Sequence, residues 1–252
     1  MNRMAQGLVM TLLGGAILRV SALSTIYVNY VKPGFRPLLI AAGLVIFALG
    51  VLGLIQEWRR PYAPARQAGG PPGPERPHGS SAGHDHSHGP RVAWLLCLPV
   101  IAIFLIAPPA LGSFAAERDE SPQPRPTALD AYGALAKDGP TAMPLGEFIG
   151  RAWGDANRSL EGRQVRLTGF AVPSKKKGQW YLTRMQLRCC AADAFPLKVT
   201  VLGVPAPRDD TWVEVTGAWV PTPYDKLPKG TVAPEMRATG LTKVAQPDKP
   251  YE

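Results

Sequence analysis

The chain has 252 residues, of which 46% are apolar and 19% charged, with a net charge of +9. Residues 1–112 hold nine Lys/Arg and three Asp/Glu, whereas residues 113–252 hold nineteen and sixteen. Long charge-free stretches in the first half exclude a single soluble domain, the apolar content excludes a wholly disordered chain, and positive charge beside apolar runs points to membrane orientation before nucleic acid.

Three membrane spans are predicted. The first runs from Gly7 to Val31, with Arg19 near its middle and Thr11, Ser21, Ser24, Thr25 and Asn29 as its other polar residues. It is too long for a signal-peptide core and no small-residue cleavage site follows, so it is read as retained. The second, Leu38 to Ile55, is eighteen uncharged residues, long enough to cross. Its Gly43 and Gly50, seven apart, share one helix face that permits close packing. The third runs from Val92 to about Leu111, with Pro99 inside and Pro108-Pro109 near its end.

Arg19 costs about 2.5–3.5 kcal/mol at a helix centre. Either it faces a partner acid, a lipid phosphate or an aqueous path, or the span shifts and Arg19 reaches a headgroup. No acidic residue lies in any of the three spans, so an intramembrane carboxylate would come from another chain. The connector Glu57–Arg91 carries Arg59, Arg60, Arg66, Arg76 and Arg91, against Lys32 and Arg36 between spans one and two. This bias predicts a multi-pass cell-membrane protein with the connector and amino terminus cytoplasmic and residues 113–252 extracytoplasmic.

All four histidines, His78, His84, His86 and His88, lie in that connector. His84-Asp85-His86-Ser87-His88 can offer imidazoles and a carboxylate to one divalent transition-metal ion. The surrounding Gly/Pro/Ser-rich chain does not fold alone, so such a site would be weak and exchangeable. The alternative is a polar linker with no specific contact.

Residues 113–142 read as a Pro/Ala/Asp-rich tether. Leu145, Phe148, Ile149, Ala152 and Trp153 then recur at helical spacing, predicting a short amphipathic helix over Met143–Ala156. Five strands are expected: Gln164–Pro173, Trp180–Leu187, Leu197–Leu202, Trp212–Trp219 and Met236–Val244. In the first, Val165 and Leu167 point one way before Phe170 and Val172 take over. The switch at Gly169 signals a bulge or sharp bend. A three-span α-helical anchor plus a mainly-β domain, an OB-like five-stranded barrel with one short helix, is the predicted fold class. An irregular β-sandwich is the alternative. The turn lysines Lys175–Lys177 read as solvated, and an extracytoplasmic domain has no nucleic-acid partner.

Besides Cys97 in the third span, the cysteines are the adjacent pair Cys189-Cys190, in the stretch Arg184-Met-Gln-Leu-Arg-Cys-Cys-Ala-Ala-Asp193-Ala194. Adjacent side chains on a strand point to opposite faces, so the sulfurs meet only if the backbone turns. Three readings compete. The pair fills the core; it binds a metal or metalloid with Asp193 as third ligand and Met185 as a remote thioether; or it performs redox chemistry, with Arg188 lowering a thiol pKa. A soft ion such as Cu(I) suits two sulfurs, and zinc would need further ligands because the domain has no histidine.

Over most of its length, and most specifically in its tail, the chain resembles the YcgQ-type family of bacterial membrane proteins, described as permease subunits. The resemblance rests on Gly162-Arg-Gln-Val-Arg-Leu-Thr-Gly169-Phe170, Arg184 five residues before Cys189-Cys190, Ala192-Asp193-Ala194, Trp212-Val213-Glu-Val215-Thr-Gly217 and Pro247-Asp-Lys-Pro250-Tyr251-Glu252. It implies a multi-span permease partner and brings no catalytic residue with it. The expected function is therefore an accessory subunit of a membrane permease complex handling metal ions. The alternatives are a membrane-anchored thiol-redox or metal-sensing protein using Cys189-Cys190, and a scaffold. Enzymatic readings lack a Cys-x-x-Cys motif, a domain histidine to serve a nucleophile, and a glycine-rich phosphate loop.

Overall fold

The computed structural model describes residues 3–59, 109–118, 132–136, 139–222 and 233–252. The histidine cluster, the predicted third span up to Pro108, and Cys97 lie outside these residues. The described residues form two compact units. One contains residues 3–26 and 36–59; the other contains Tyr27–Phe35 and Pro109 onward.

The first unit is a pair of helices, α1 (Arg3–Ala22) and α2 (Arg36–Trp58). Their contact is a stripe of small residues at seven-residue spacing: Gly7, Gly14 and Ser21 on α1 against Gly43 and Gly50 on α2. A Cβ at Gly14 would lie 2.5 Å from the backbone nitrogen of Phe47, and one at Gly50 would lie 2.5 Å from that of Thr11. Glycine thus permits backbone-to-backbone approach in an antiparallel hairpin. The bulky side chains turn outward, with Leu12, Leu38, Leu44, Val45, Leu49 and Leu52 all exposed. Both helices are long and apolar enough to cross a membrane. The partner of the Gly43/Gly50 face is therefore α1. A Gly14→Leu substitution is expected to wedge the hairpin apart, destabilising it by about 1–3 kcal/mol, the usual cost of overpacking. Thermal melting of the helical signal in detergent would measure this.

Helix α1 ends nine residues earlier than the predicted first span. Ser21 Oγ donates to Ile17 O at 2.7 Å and Ser24 Oγ to Val20 O at 2.9 Å. Arg36 then donates through Nε to Ser21 O at 2.9 Å and through Nη2 to Ala22 O at 3.3 Å. The bonds to Val20, Ser21 and Ala22 satisfy carbonyls that a terminating helix leaves without partners. Arg19 consequently sits in the last turn rather than mid-span, and it is exposed. A cation there complements the negative end of the helix dipole.

The second unit is a mainly-β domain. Its elements are α3 (Ser113–Arg118), β1 (Thr141–Ala142), α4 (Leu145–Gly154), β2 (Gln164–Pro173), β3 (Gln179–Gln186), β4 (Phe195–Leu202), β5 (Trp212–Val220) and β6 (Glu235–Lys243). The five predicted strands and the helix fall within two residues of β2–β6 and α4; β1 is additional. Hydrogen-bonded order is β1-β2-β3-β4-β6-β5, with β5 also pairing back onto β2. Only β1–β2 and β4–β6 are parallel.

Strand β2 holds the sheet's corner. Gln164–Phe170 pairs with β5 and Phe170–Pro173 with β3, each in continuous register. The pattern switch at Gly169 is thus a bend with a change of partner rather than a bulge. A Cβ there would fall 2.6 Å from the carbonyl oxygen of Thr183, so only glycine lets β3 cross so closely. Val165 and Leu167 enter the main core, whereas Phe170 and Val172 enter a second cluster. The sheet's irregularity lies instead between Thr216 and Gly217, where β5 meets β6.

In the main core, Leu145, Phe148 and Ile149 of α4 bury against strand residues that include Trp180, Leu182 and Val199. Helix α4 starts after Pro144, and the Glu252 carboxylate accepts from the N–H groups of Leu145 and Gly146, both at 2.8 Å. An anion at these first-turn donors satisfies them and suits the helix dipole. The second cluster joins Phe170, Val172, Met185 and Ala116, with Leu111, Trp212 and Tyr251 at its margin. The described parts of the predicted tether are docked on the domain. Helix α3 is pinned by Asp210, whose carboxylate accepts from Ser113 N and from Ser113 Oγ at 2.9 Å. Leu135 packs on the main core. The buried guanidinium of Arg151 donates to Gly133 O at 2.9 Å and pairs with Glu147.

Candidate metal site

Strand β3 ends at Gln186 and the chain turns sharply. Cys190 is extended (φ −149°, ψ 172°), and a single 3₁₀ turn, Ala191–Asp193, follows before β4. The turn carries the Asp193 carboxylate back beneath the preceding peptide groups. Its Oδ1 accepts from Arg188 N at 3.0 Å and Cys190 N at 3.3 Å, and its Oδ2 from Cys189 N at 2.9 Å. Asp193 N in turn donates to Cys190 O at 3.1 Å. A carboxylate replaces the strand partners that these N–H groups would otherwise need.

This turn brings the two sulfurs together instead of splaying them. Cys189 Sγ lies 3.6 Å from Cys190 Sγ and donates to Asp193 Oδ2 at 2.9 Å. The two sulfurs and a carboxylate oxygen all lie within 4.8 Å of one another. Both thiols are free; Cys189 is exposed and Cys190 half-buried. Arg188 does not lower the thiol pKa as expected. Its guanidinium lies over the Phe195 ring at 5.8 Å, while the hydrogen bond to Asp193, then that to Cys190, pushes the Cys189 thiol up to about 11. The same bond from Cys189 holds the Asp193 carboxyl below its ordinary value.

Two further segments frame the turn; the first carried no signal in the sequence, and the second stood out there only through the family resemblance. One is the segment joining α1 to α2. Val31 pairs with Cys190 in an antiparallel bridge, Ala191 N donates to Tyr30 O at 2.7 Å, and Lys32 N donates to Cys189 O at 3.0 Å. The other is the closing Pro247–Glu252. Arg184 donates to Lys249 O at 2.5 Å and Pro250 O at 3.3 Å and stands 4.0 Å from the Glu252 carboxylate. Tyr251 OH donates to Asn29 O at 3.0 Å and accepts from Leu111 N at 2.8 Å. Arg184, singled out beside the cysteines, is therefore the anchor of the closing segment. Met185 is buried in the second cluster. His84, Asp85, His86 and His88 lie outside the described residues.

The cysteine turn, the strands behind it and the closing segment all fall within one family match. Residues 154–252 match the DUF1980 C-terminal domain. The match takes in β2–β6, the Cys-Cys-x-x-Asp turn and the closing segment, and leaves out α1, α2 and most of α4. Among curated proteins nothing matches. Among solved structures, the chain is similar to a protein described as an aspartyl-tRNA synthetase from Leishmania major Friedlin, at 10% identity and a TM-score of 0.24. That alignment covers 45% of this chain and 23% of the other.

The site makes a direct chemical prediction. Asp193→Asn keeps an oxygen for the backbone donors but removes the anion that raises the Cys189 pKa. The thiol is expected to fall toward its ordinary value, and its alkylation near pH 8 to accelerate by about tenfold or more, since the thiolate is the nucleophile. Site-resolved mass spectrometry of iodoacetamide labelling over a pH series measures this.

Proposed function

We propose that this protein is a membrane-anchored accessory subunit of a permease complex, whose mainly-β domain takes up a thiophilic metal ion at Cys189, Cys190 and Asp193. The observation that carries the reading is the sulfur geometry. Two metal–sulfur bonds of about 2.3 Å at a tetrahedral angle place the sulfurs about 3.8 Å apart, and here they are 3.6 Å apart. Oδ2 of Asp193 already receives the Cys189 proton at 2.9 Å, so an ion can replace that proton without rebuilding the turn. Three protein ligands leave a coordination position open, as suits an ion that is handed on rather than locked in.

The remaining parts of the proposal have separate supports. An OB-like barrel is supported by pairings that run β2-β3-β4-β6-β5 and return to β2. Membrane anchoring is supported by two long apolar helices with outward-facing leucines, the third span being expected from sequence. Tyr27–Phe35 belongs to the same unit as residues 109 onward. That fits the charge-bias topology, in which the first inter-span segment and the domain are both extracytoplasmic. The connector histidines would then meet metal on the cytoplasmic side. A thiol-exchange role is less well supported, because a Cys189 pKa of about 11 leaves about one thiolate in ten thousand at pH 7.

The test is gentle solubilisation of the tagged full chain from native membranes, with partner identification and metal analysis on one sample. A stoichiometric multi-span partner together with bound metal is the expected result. Recovery of the chain alone and metal-free would overturn the proposal.

A further inference from the structure

We infer that Tyr30–Lys32, in the segment joining α1 to α2, is a positioning strand of the metal site, and that ion binding and the docking of this segment strengthen one another. The inference rests on the metal reading above and concerns how that site is controlled. Cys189 and Cys190, the two sulfur donors, belong to peptide units that face two ways. Their N–H groups bond to the Asp193 carboxylate at 2.9 Å and 3.3 Å. On the opposite side, Cys189 O accepts from Lys32 N at 3.0 Å, Ala191 N donates to Tyr30 O at 2.7 Å, and Val31 pairs with Cys190. The Lys32 side chain adds a contact from Nζ to Leu187 O at 3.4 Å, and Tyr251 OH holds Asn29 O at 3.0 Å.

The turn that carries the ligands is thus gripped by Asp193 from one side and by Tyr30–Lys32 from the other. Without the second grip, Cys189 O and Ala191 N lose their backbone partners, and the 188–193 turn regains the freedom that an ion must remove on binding. Pre-ordering by the docked segment lowers that cost, and by reciprocity an ion that fixes the turn stabilises the docking. The same segment is the covalent link between the two apolar helices, so occupancy of the site is felt at the point where they join.

The experiment is hydrogen exchange on the full chain in detergent, with and without cadmium(II), alongside a direct cadmium titration. The expected result is cadmium binding with slower exchange at the Lys32 and Ala191 amides and unchanged exchange in β5 and β6. If cadmium binds but those two amides exchange as before or faster, the coupling is overturned while the metal site stands. If cadmium does not bind, the metal reading itself fails. Lys32→Pro, which removes the donor to Cys189 O, is expected to weaken cadmium about fivefold or more, in the range typical of coupled sites. Lys32→Ala, which keeps the N–H, should stay within about twofold. Equal affinities for the two variants would also overturn the coupling, and should the proline variant not fold, the wild-type exchange decides alone.

Discussion

Replacing both sulfurs, as Cys189→Ser with Cys190→Ser, is expected to weaken binding of a thiophilic ion by more than about 100-fold. Loss of a mere outer partner of a metal site costs 10–100-fold, and here two of three converging donors disappear. The cadmium–thiolate absorbance should vanish with them, while the fold persists, because Cys189 is exposed and Cys190 half-buried. Asp193 retains the N–H groups of residues 188–190 as its partners in the variant. The wild-type affinity carries a pH signature of known sign. Cys189 is protonated throughout the neutral range, with a pKa of about 11, so each ion bound must displace at least that proton. Apparent affinity should rise at least tenfold per pH unit between pH 6 and 8. Tight, pH-independent binding by the double serine variant would place the ion elsewhere.

Phe148→Ala should produce one of the larger losses of stability in the β domain. Phe148 is fully buried on α4 as part of the main core. Truncating a buried phenylalanine typically costs 3–5 kcal/mol, through lost transfer free energy and the cavity left behind. A domain of this size has a total stability of about 5–15 kcal/mol, so a Tm fall of well over 10 °C is expected. Near-wild-type melting of the variant would mean that α4 is peripheral to the core.

Much of the β domain was legible because its physics is local. Alternation in Val213/Glu214/Val215 and in Leu197/Val199/Val201, and the helical spacing of Leu145, Phe148 and Ile149, are patterns of single elements. The change of face at Gly169 was legible as well, because it inverts such a pattern. The two-residue strand β1 is too short to show alternation. The end of α1 was misplaced because an apolar run continues past Ala22, and the helix stops through hydrogen bonds from Ser24 and from Arg36, fourteen residues on. The Gly7/Gly14 stripe has the same spacing as Gly43/Gly50, and reading the two together would have paired the helices. At the site, the residues Cys189, Cys190 and Asp193 were legible, whereas their convergence was not, since it depends on a backbone turn. Arg184 stood out beside the cysteines, but its partners are 65 and 66 residues away. The contribution of Tyr30–Lys32 left no trace at all, being a set of backbone hydrogen bonds that any residue types can make.

That contribution gives the site a birth order. Lys32 and Leu187 touch across 155 residues of chain, and at least one apolar helix intervenes. The first half of the grip on Cys189 leaves the ribosome early, and the ligands themselves arrive only after that helix has been made. A chain threaded so that Tyr30–Lys32 and the cysteine turn ended in different compartments would carry every ligand residue yet lack the complete site. On the proposed metal reading, competence to hold an ion would then report that the two segments had reached the same side of the membrane.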